Sequence, residues 1–133
     1  MSASNTIRDI IPEDRGPVKF ITSGSPLRKT IDYLAEKNIG CALVVDAKGE
    51  LAGVVSERDV IRAIYENGGD ALDYATDSYM EKTVVTCSMD DDVKAVARKM
   101  LDNSFRHLPI IDDGYLCGMI SMRDLIDPLI SDK

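Results

Sequence analysis

One histidine and three cysteines are all that this 133-residue sequence offers toward a transition-metal centre. A zinc quartet needs more than His107 and a scatter of thiols. Cys41, Cys87 and Cys117 are odd in number, far apart and never arranged as C-x-x-C. They are expected to be reduced core residues, and no metal site is expected. The sequence also lacks a glycine-rich phosphate loop and a nucleophile elbow, and its lone histidine has no evident nucleophile beside it, so no enzyme activity is expected. No apolar run approaches the roughly 18 residues that cross a bilayer, which argues against membrane insertion. The first residues show no basic stretch leading into an apolar one, so no secretory signal is expected and a cytoplasmic location is. Basic residues are the minority, 16 against 23 acidic, and a net charge of -7 repels phosphate backbones at long range. That argues against nucleic acid as a general partner but not against a small anion in a locally basic pocket. Hydrophobic residues at 44% and charged ones at 29% are ordinary globular values.

What the sequence does contain is a copy of itself. Residues 42–59 align with residues 108–124 once one residue is dropped from the first loop. Asp46, Gly49, Leu51, Gly53, Ser56, Arg58 and Asp59 then fall on Asp112, Gly114, Leu116, Gly118, Ser121, Arg123 and Asp124. An offset of 65 residues is too long for a solenoid unit and fits two copies of one half-domain.

Each half reads as strand, helix, strand, strand, helix. The first strands are expected at residues 18–22 and 83–87. A helix follows in each half. In the first half Ser25 is its N-cap, Pro26 its first-turn proline and Leu27, Ile31, Leu34 and Ala35 its apolar face, with residues 38–40 as its stop. In the second half Asp90, Asp91 and Asp92 sit at the positive end of the helix dipole, ahead of Val93, Val96, Ala97, Met100 and Leu101. Apolar runs at 41–45 and 51–55, then 108–111 and 116–120, flank turn-forming Asp and Gly and read as hairpins. Second helices open at Ser56 and Ser121, carrying Val60, Ile61 and Ile64, and Leu125, Ile126 and Leu129. Residues 67–69 break the chain, and a connecting helix is expected over 70–80.

The repeated pattern of apolar strand, Asp-x-x-Gly turn, Gly-h-h-Ser-x-Arg-Asp (h apolar) and apolar helix closely resembles the CBS domain, two of which in tandem form a Bateman module. Residues 106–112 and 79–86 resemble the second repeat and its approach strand, and the likeness runs over residues 6–128. It implies an α+β fold of two β-α-β-β-α repeats, packed sheet to sheet with pseudo-twofold symmetry. Repeat 1 is expected at 6–66, a linker at 67–82 and repeat 2 at 83–130, with no attached domain. It also implies a regulatory module that binds AMP, ADP, ATP, NAD(H) or S-adenosylmethionine, requires no cofactor, forms a homodimer and modulates an enzyme or transporter. The alternative is a ligand-free dimerisation scaffold with the same fold.

Ser-x-Arg-Asp at a helix start has two readings, and both stay open at this stage. One is a capping box, with Ser and Asp exchanging hydrogen bonds across the first turn. In the other, which the resemblance implies, Asp59 and Asp124 take the ribose hydroxyls while Ser56, Arg58, Ser121 and Arg123 lie near phosphate. The resemblance adds facing walls: Ile39, Gly40 and Cys41 opposite Asp124, and Phe105, Arg106 and His107 opposite Asp59. These walls make the two clefts unequal. His107 is the one side chain whose ordinary pKa lies near neutrality. Leu43 stands where the family often has proline, a departure expected to act on turn geometry.

Overall fold

A computed structural model describes residues 5–11 and 20–131, with side chains as far as Asp127. Packing divides the chain into two compact units, one over residues 20–84 and the other over residues 5–11 and 85–131. Both mix helices with a sheet, so the fold is α+β.

The first unit is built around β2 (Cys41–Val45), whose five residues are all buried. It lies between β1 (Ile21–Thr22), which pairs with it in parallel, and β3 (Leu51–Ser56), which pairs antiparallel. A strand covered on both flanks and both faces reads as an unbroken apolar run, as this one does. Ile21, Leu34, Ala42, Val44 and Val55 form the core beneath it. α2 (Leu27–Lys37) ends at Asn38, whose left-handed φ of 54° makes the stop expected there. α3 (Glu57–Asn67) follows β3 directly.

The second unit carries the same hairpin in β4 (His107–Asp112) and β5 (Tyr115–Ser121). The copies match in detail. Val44 pairs with Gly53 and Ile110 with Gly118, and both ladders shift register at the next residue. The turns fall where Asp and Gly predicted, with left-handed φ at Gly49, Asp113 and Gly114. α4 (Val93–Asn103) is capped by Asp92, whose carboxylate accepts from the Lys94 and Ala95 amides, so this part of the acidic triplet serves the helix end. α5 (Met122–Ser131) completes the repeat. α1 (Ile7–Ile10), not foreseen, adds the fully buried Ile7 to this core. It is held by amide bonds from Ile7 to Asp91 O and from Arg8 to Met89 O.

Five expectations are corrected. Residues 83–87 are not a strand: only Cys87 pairs with β4, in a parallel bridge to Ile110. Its amide donates to Pro109 O and Ile111 N donates back to Cys87 O, but the next rung would need an N–H on Pro109, which proline lacks. The helix over 70–80 is instead two short 3-10 turns, Gly68–Asp73 and Thr76–Ser78. Gly68 ends α3, and the backbone around 74–76 bonds elsewhere: Leu27 N donates to Tyr74 O and Thr76 N to Ser25 O. Those bonds also explain why Pro26, with no side-chain cap, rather than Ser25 occupies the cap position of α2. Leu101 is 68% exposed instead of lying on the packed face. Leu43 sits buried in mid-strand opposite Val54, so its departure from proline bears on the strand and not on a turn. Residues 18 and 19 and the side chain of Leu129 lie outside what is described.

Candidate functional site

Each hairpin delivers its second strand straight into a helix N-terminus, and Ser-x-Arg-Asp sits on that joint. At α3 the Ser56 amide donates to Asp59 Oδ2 at 2.8 Å and the Ser56 hydroxyl to the same oxygen at 3.1 Å, while the Asp59 amide donates to Ser56 Oγ at 3.3 Å. At α5 the Ser121 amide donates to Asp124 Oδ2 at 2.7 Å and the Asp124 amide to Ser121 Oγ at 3.2 Å. Both capping boxes are therefore formed. Capping uses Oδ2 of each carboxylate and leaves Oδ1 directed elsewhere, so it does not compete with a second role for the group.

The strand start that precedes each hairpin lies alongside this joint in the same unit. Cys41 pairs with Ser56, and the Glu57 amide donates to Gly40 O at 2.9 Å. In the second unit His107 pairs with Ser121, and the Met122 amide donates to Arg106 O at 2.8 Å. Within the first unit the backbone of residues 40 and 41 thus adjoins the joint that carries Ser56, Arg58 and Asp59, next to Ile39, and these form one set. Within the second unit the backbone of residues 106 and 107 adjoins the joint that carries Ser121, Arg123 and Asp124, next to Phe105, and these form another. Among the described residues, two of the first three amides of each helix are already satisfied, by Gly40 O and Ser56 Oγ in one case and by Arg106 O and Ser121 Oγ in the other. Attraction for phosphate therefore falls mainly on the exposed Arg58, Arg123 and Arg106.

The two sets differ in charge. The first holds the carboxylates of Glu57 and Asp59 with Arg58 and Arg62; the second holds Asp124 with Arg106 and Arg123, with Met122 in place of Glu57. A Cβ on Gly40 would lie 2.7 Å from Glu57 Oε1, so that carboxylate lies directly over the glycine. Phe105 is half-buried against the core of its unit, leaving its neighbours Arg106 and His107 as the polar part of that wall. Burial pushes the Cys41 thiol up to about 11, with the Asp59 charge adding to the shift, so it stays protonated at neutral pH. Cys87 is likewise raised to about 11 by burial.

Burial also holds the His107 imidazole below its ordinary value; Arg106 adds to this and Asp124 opposes it. The unfolded chain takes up a proton near pH 6.5 that the folded protein resists. Stability is therefore expected to be level above about pH 7 and to fall as pH drops through 6.5 toward 5. Thermal melts of His107→Gln should lack that part of the slope, whereas an identical slope would remove His107 as its source.

Two features escaped sequence reasoning. Arg62, one turn beyond Asp59, places Nη2 3.6 Å from Asp59 Oδ1; its spacing was readable, but its second contact was not. The other is an open groove of about 380 Å³ along α2 and α3, bordered by Ile31, Asn38, Ile39, Gly40, Glu57 and Ile61. Ser56, Arg58 and Asp59 do not border it.

The CBS domain family model matches the chain twice, over residues 7–66 and 75–131. The uncharacterized protein MJ1225 of Methanocaldococcus jannaschii is 32% identical over 126 residues, which is 95% of this chain and 43% of that protein. The chain spans about half the length of the curated relatives it matches. Among solved structures, the CBS-domain containing protein ATU1752 from Agrobacterium tumefaciens superposes with a TM-score of 0.82 at 27% identity, covering 91% of this chain and 90% of that one. The CBS domain pair of protein MJ0100, solved in complex with 5′-methylthioadenosine and S-adenosyl-L-methionine, shares the fold with a TM-score of 0.80 at 23% identity, covering 98% of this chain and 100% of that one. With its duplicated hairpins and its two matched repeats, the chain belongs to the CBS domain family.

Proposed function

We propose that the chain is a regulatory module that binds adenosine nucleotides and catalyses no reaction. The observation that carries this reading is the duplicated joint. In both units a carboxylate fixed by its own helix cap keeps one oxygen beyond the cap, and an exposed arginine precedes it in the sequence. A carboxylate accepts from both hydroxyls of a ribose, and charge-assisted bonds of this kind are the strong ones. Support comes also from the MJ0100 domain pair, whose two bound molecules are both adenosine derivatives. Asp59 and Asp124 would hold ribose, Arg58, Arg123 and Arg106 phosphate, and the backbone and side chains of residues 39–41 and 105–107 the walls. With unequal walls, Gly40 and Cys41 on one side and Arg106 and His107 on the other, the two carboxylates should bind AMP with unequal affinity.

A thermal-shift panel of AMP, ADP, ATP with and without Mg²⁺, NADH and S-adenosylmethionine tests this reading. A ligand at a hundred times its Kd stabilises by about 2.7 kcal/mol, a shift of several degrees. No shift with any of them would favour a ligand-free scaffold instead.

The same reading assigns the protein a homodimeric state and a regulated enzyme or transporter as partner. Along α3, Ile61, Ile64 and Tyr65 face solvent, with Tyr65 89% exposed. That apolar stripe fits the closed twofold pairing commonest among oligomers. Light scattering at micromolar concentration should give about twice the 14.6 kDa chain mass, and a mass near 14.6 kDa would overturn the dimer.

A further inference from the structure

Arg62 joins Asp59, its neighbour three residues earlier on α3, to Tyr79, which no local helix rule brings to it. Its Nη2 lies 3.6 Å from Asp59 Oδ1, the oxygen not used in the cap, and also donates to the Tyr79 carbonyl at 3.1 Å. Its guanidinium carbon stands 5.9 Å from the centre of the Tyr79 ring. Tyr79 is itself buried and accepts at its hydroxyl from the Asn67 side chain, at the far end of α3. Beyond Tyr79 the chain is tied to β3: Val54 N donates to Glu81 O at 3.0 Å and Glu81 N to Val54 O at 2.8 Å. Gly53 lets this segment close in, for a Cβ there would lie 2.7 Å from Glu81 O. Residues 76–84 are the last of this unit before the chain passes into the second.

We infer that Arg62 is a coupling residue that reports occupancy of the Asp59 carboxylate to the segment by which the chain leaves the first unit. The inference rests on the adenosine-binding reading above and adds to it the route by which that binding is felt elsewhere. A ribose hydroxyl donating to Asp59 Oδ1 competes with the guanidinium for the same oxygen. Without that anchor the half-exposed Arg62 side chain holds the Tyr79 carbonyl and ring less firmly, and residues 79–81 loosen. By linkage, the contact that nucleotide weakens must in turn weaken nucleotide binding. The second unit has no such device, because the residue equivalent to Arg62 is Asp127. The asymmetry between the units is therefore one of signalling as well as affinity.

Arg62 is 53% exposed along its side chain, and Arg62→Met keeps its apolar stem, so the variant is expected to fold and melt like the parent. Amide hydrogen exchange over residues 76–84 is compared with and without saturating AMP in both proteins, and AMP binding is measured by calorimetry. In the parent, AMP should speed exchange at residues 79–81 severalfold. In Arg62→Met, exchange should already be fast without nucleotide and AMP should leave it unchanged. AMP should still bind, at the Asp59 set up to about fivefold more tightly, the scale of losing an exposed ion pair. An equal response in both proteins, or AMP binding to the parent with no change over 79–81, overturns the coupling role while leaving the binding reading intact. No heat of binding in the parent overturns the binding reading and the inference together.

Discussion

Replacing Asp124 by Asn is expected to weaken AMP binding at the second set by about tenfold to a hundredfold while leaving the protein folded. The substitution keeps the size of the side chain and an oxygen able to accept from the Ser121 amide, now 2.7 Å from Asp124 Oδ2. What it removes is the negative charge that makes a ribose hydroxyl bond strong, worth ~1.5–3 kcal/mol. Stability without ligand should change by no more than ~1 kcal/mol, the scale of a helix cap. If the motif served only as a cap, the pattern would reverse, with a lower melting temperature and unchanged affinity. Because both capping boxes are formed, only the pair of measurements, affinity and melting temperature on the same variant, separates the two roles. Asp59→Asn should act in the same sense at its own carboxylate.

The second large effect is on stability. Ile110 is fully buried at the middle of β4, pairs with Gly118 across the hairpin and with Cys87 on its other side, and packs in the core that also holds Ile7, Val96 and Ile120. Ile110→Ala should cost about 2–5 kcal/mol, the span for such truncations, because a residue held by β5 on one side and by the Cys87 bridge on the other cannot shift to fill the space left. Chemical denaturation read by far-UV circular dichroism checks this. Tyr115→Ala on the same hairpin, exposed at its turn, should by contrast stay within about 0.5 kcal/mol of the parent. A cost below 1 kcal/mol for Ile110→Ala would mean that this core is not packed as described.

The duplication was the most legible feature of the sequence, because identical turn chemistry and identical glycines had to occupy identical places. Gly53 and Gly118 face equivalent partners, Val44 and Ile110, at the same register shift. Helix stops were readable for a local reason: Asn38 tolerates the left-handed conformation. What escaped reading depended on distant partners. Residues 83–87 carry good strand composition, yet Pro109, on another strand, denies them the second rung. Residues 70–80 could pass for a helix, but the backbone at 74 and 76 is spent on residues 27 and 25. The candidate site divides the same way. Ser56, Asp59, Ser121 and Asp124 were visible as a local motif, whereas Arg62 acquires its meaning only from Tyr79, seventeen residues on.

The most direct measurement is a calorimetric titration of AMP into the parent protein and into the double variant Asp59→Asn/Asp124→Asn, with melting temperatures taken on both. The expected result for the parent is saturable heat that resolves into one site per chain or two unequal affinities. The double variant should give no detectable heat at the same concentrations and melt within several degrees of the parent. Two identical independent sites in the parent would contradict the charge asymmetry between the sets. Undiminished binding in the double variant, or none in the parent, would contradict the assignment of the two carboxylates to an adenosine nucleotide.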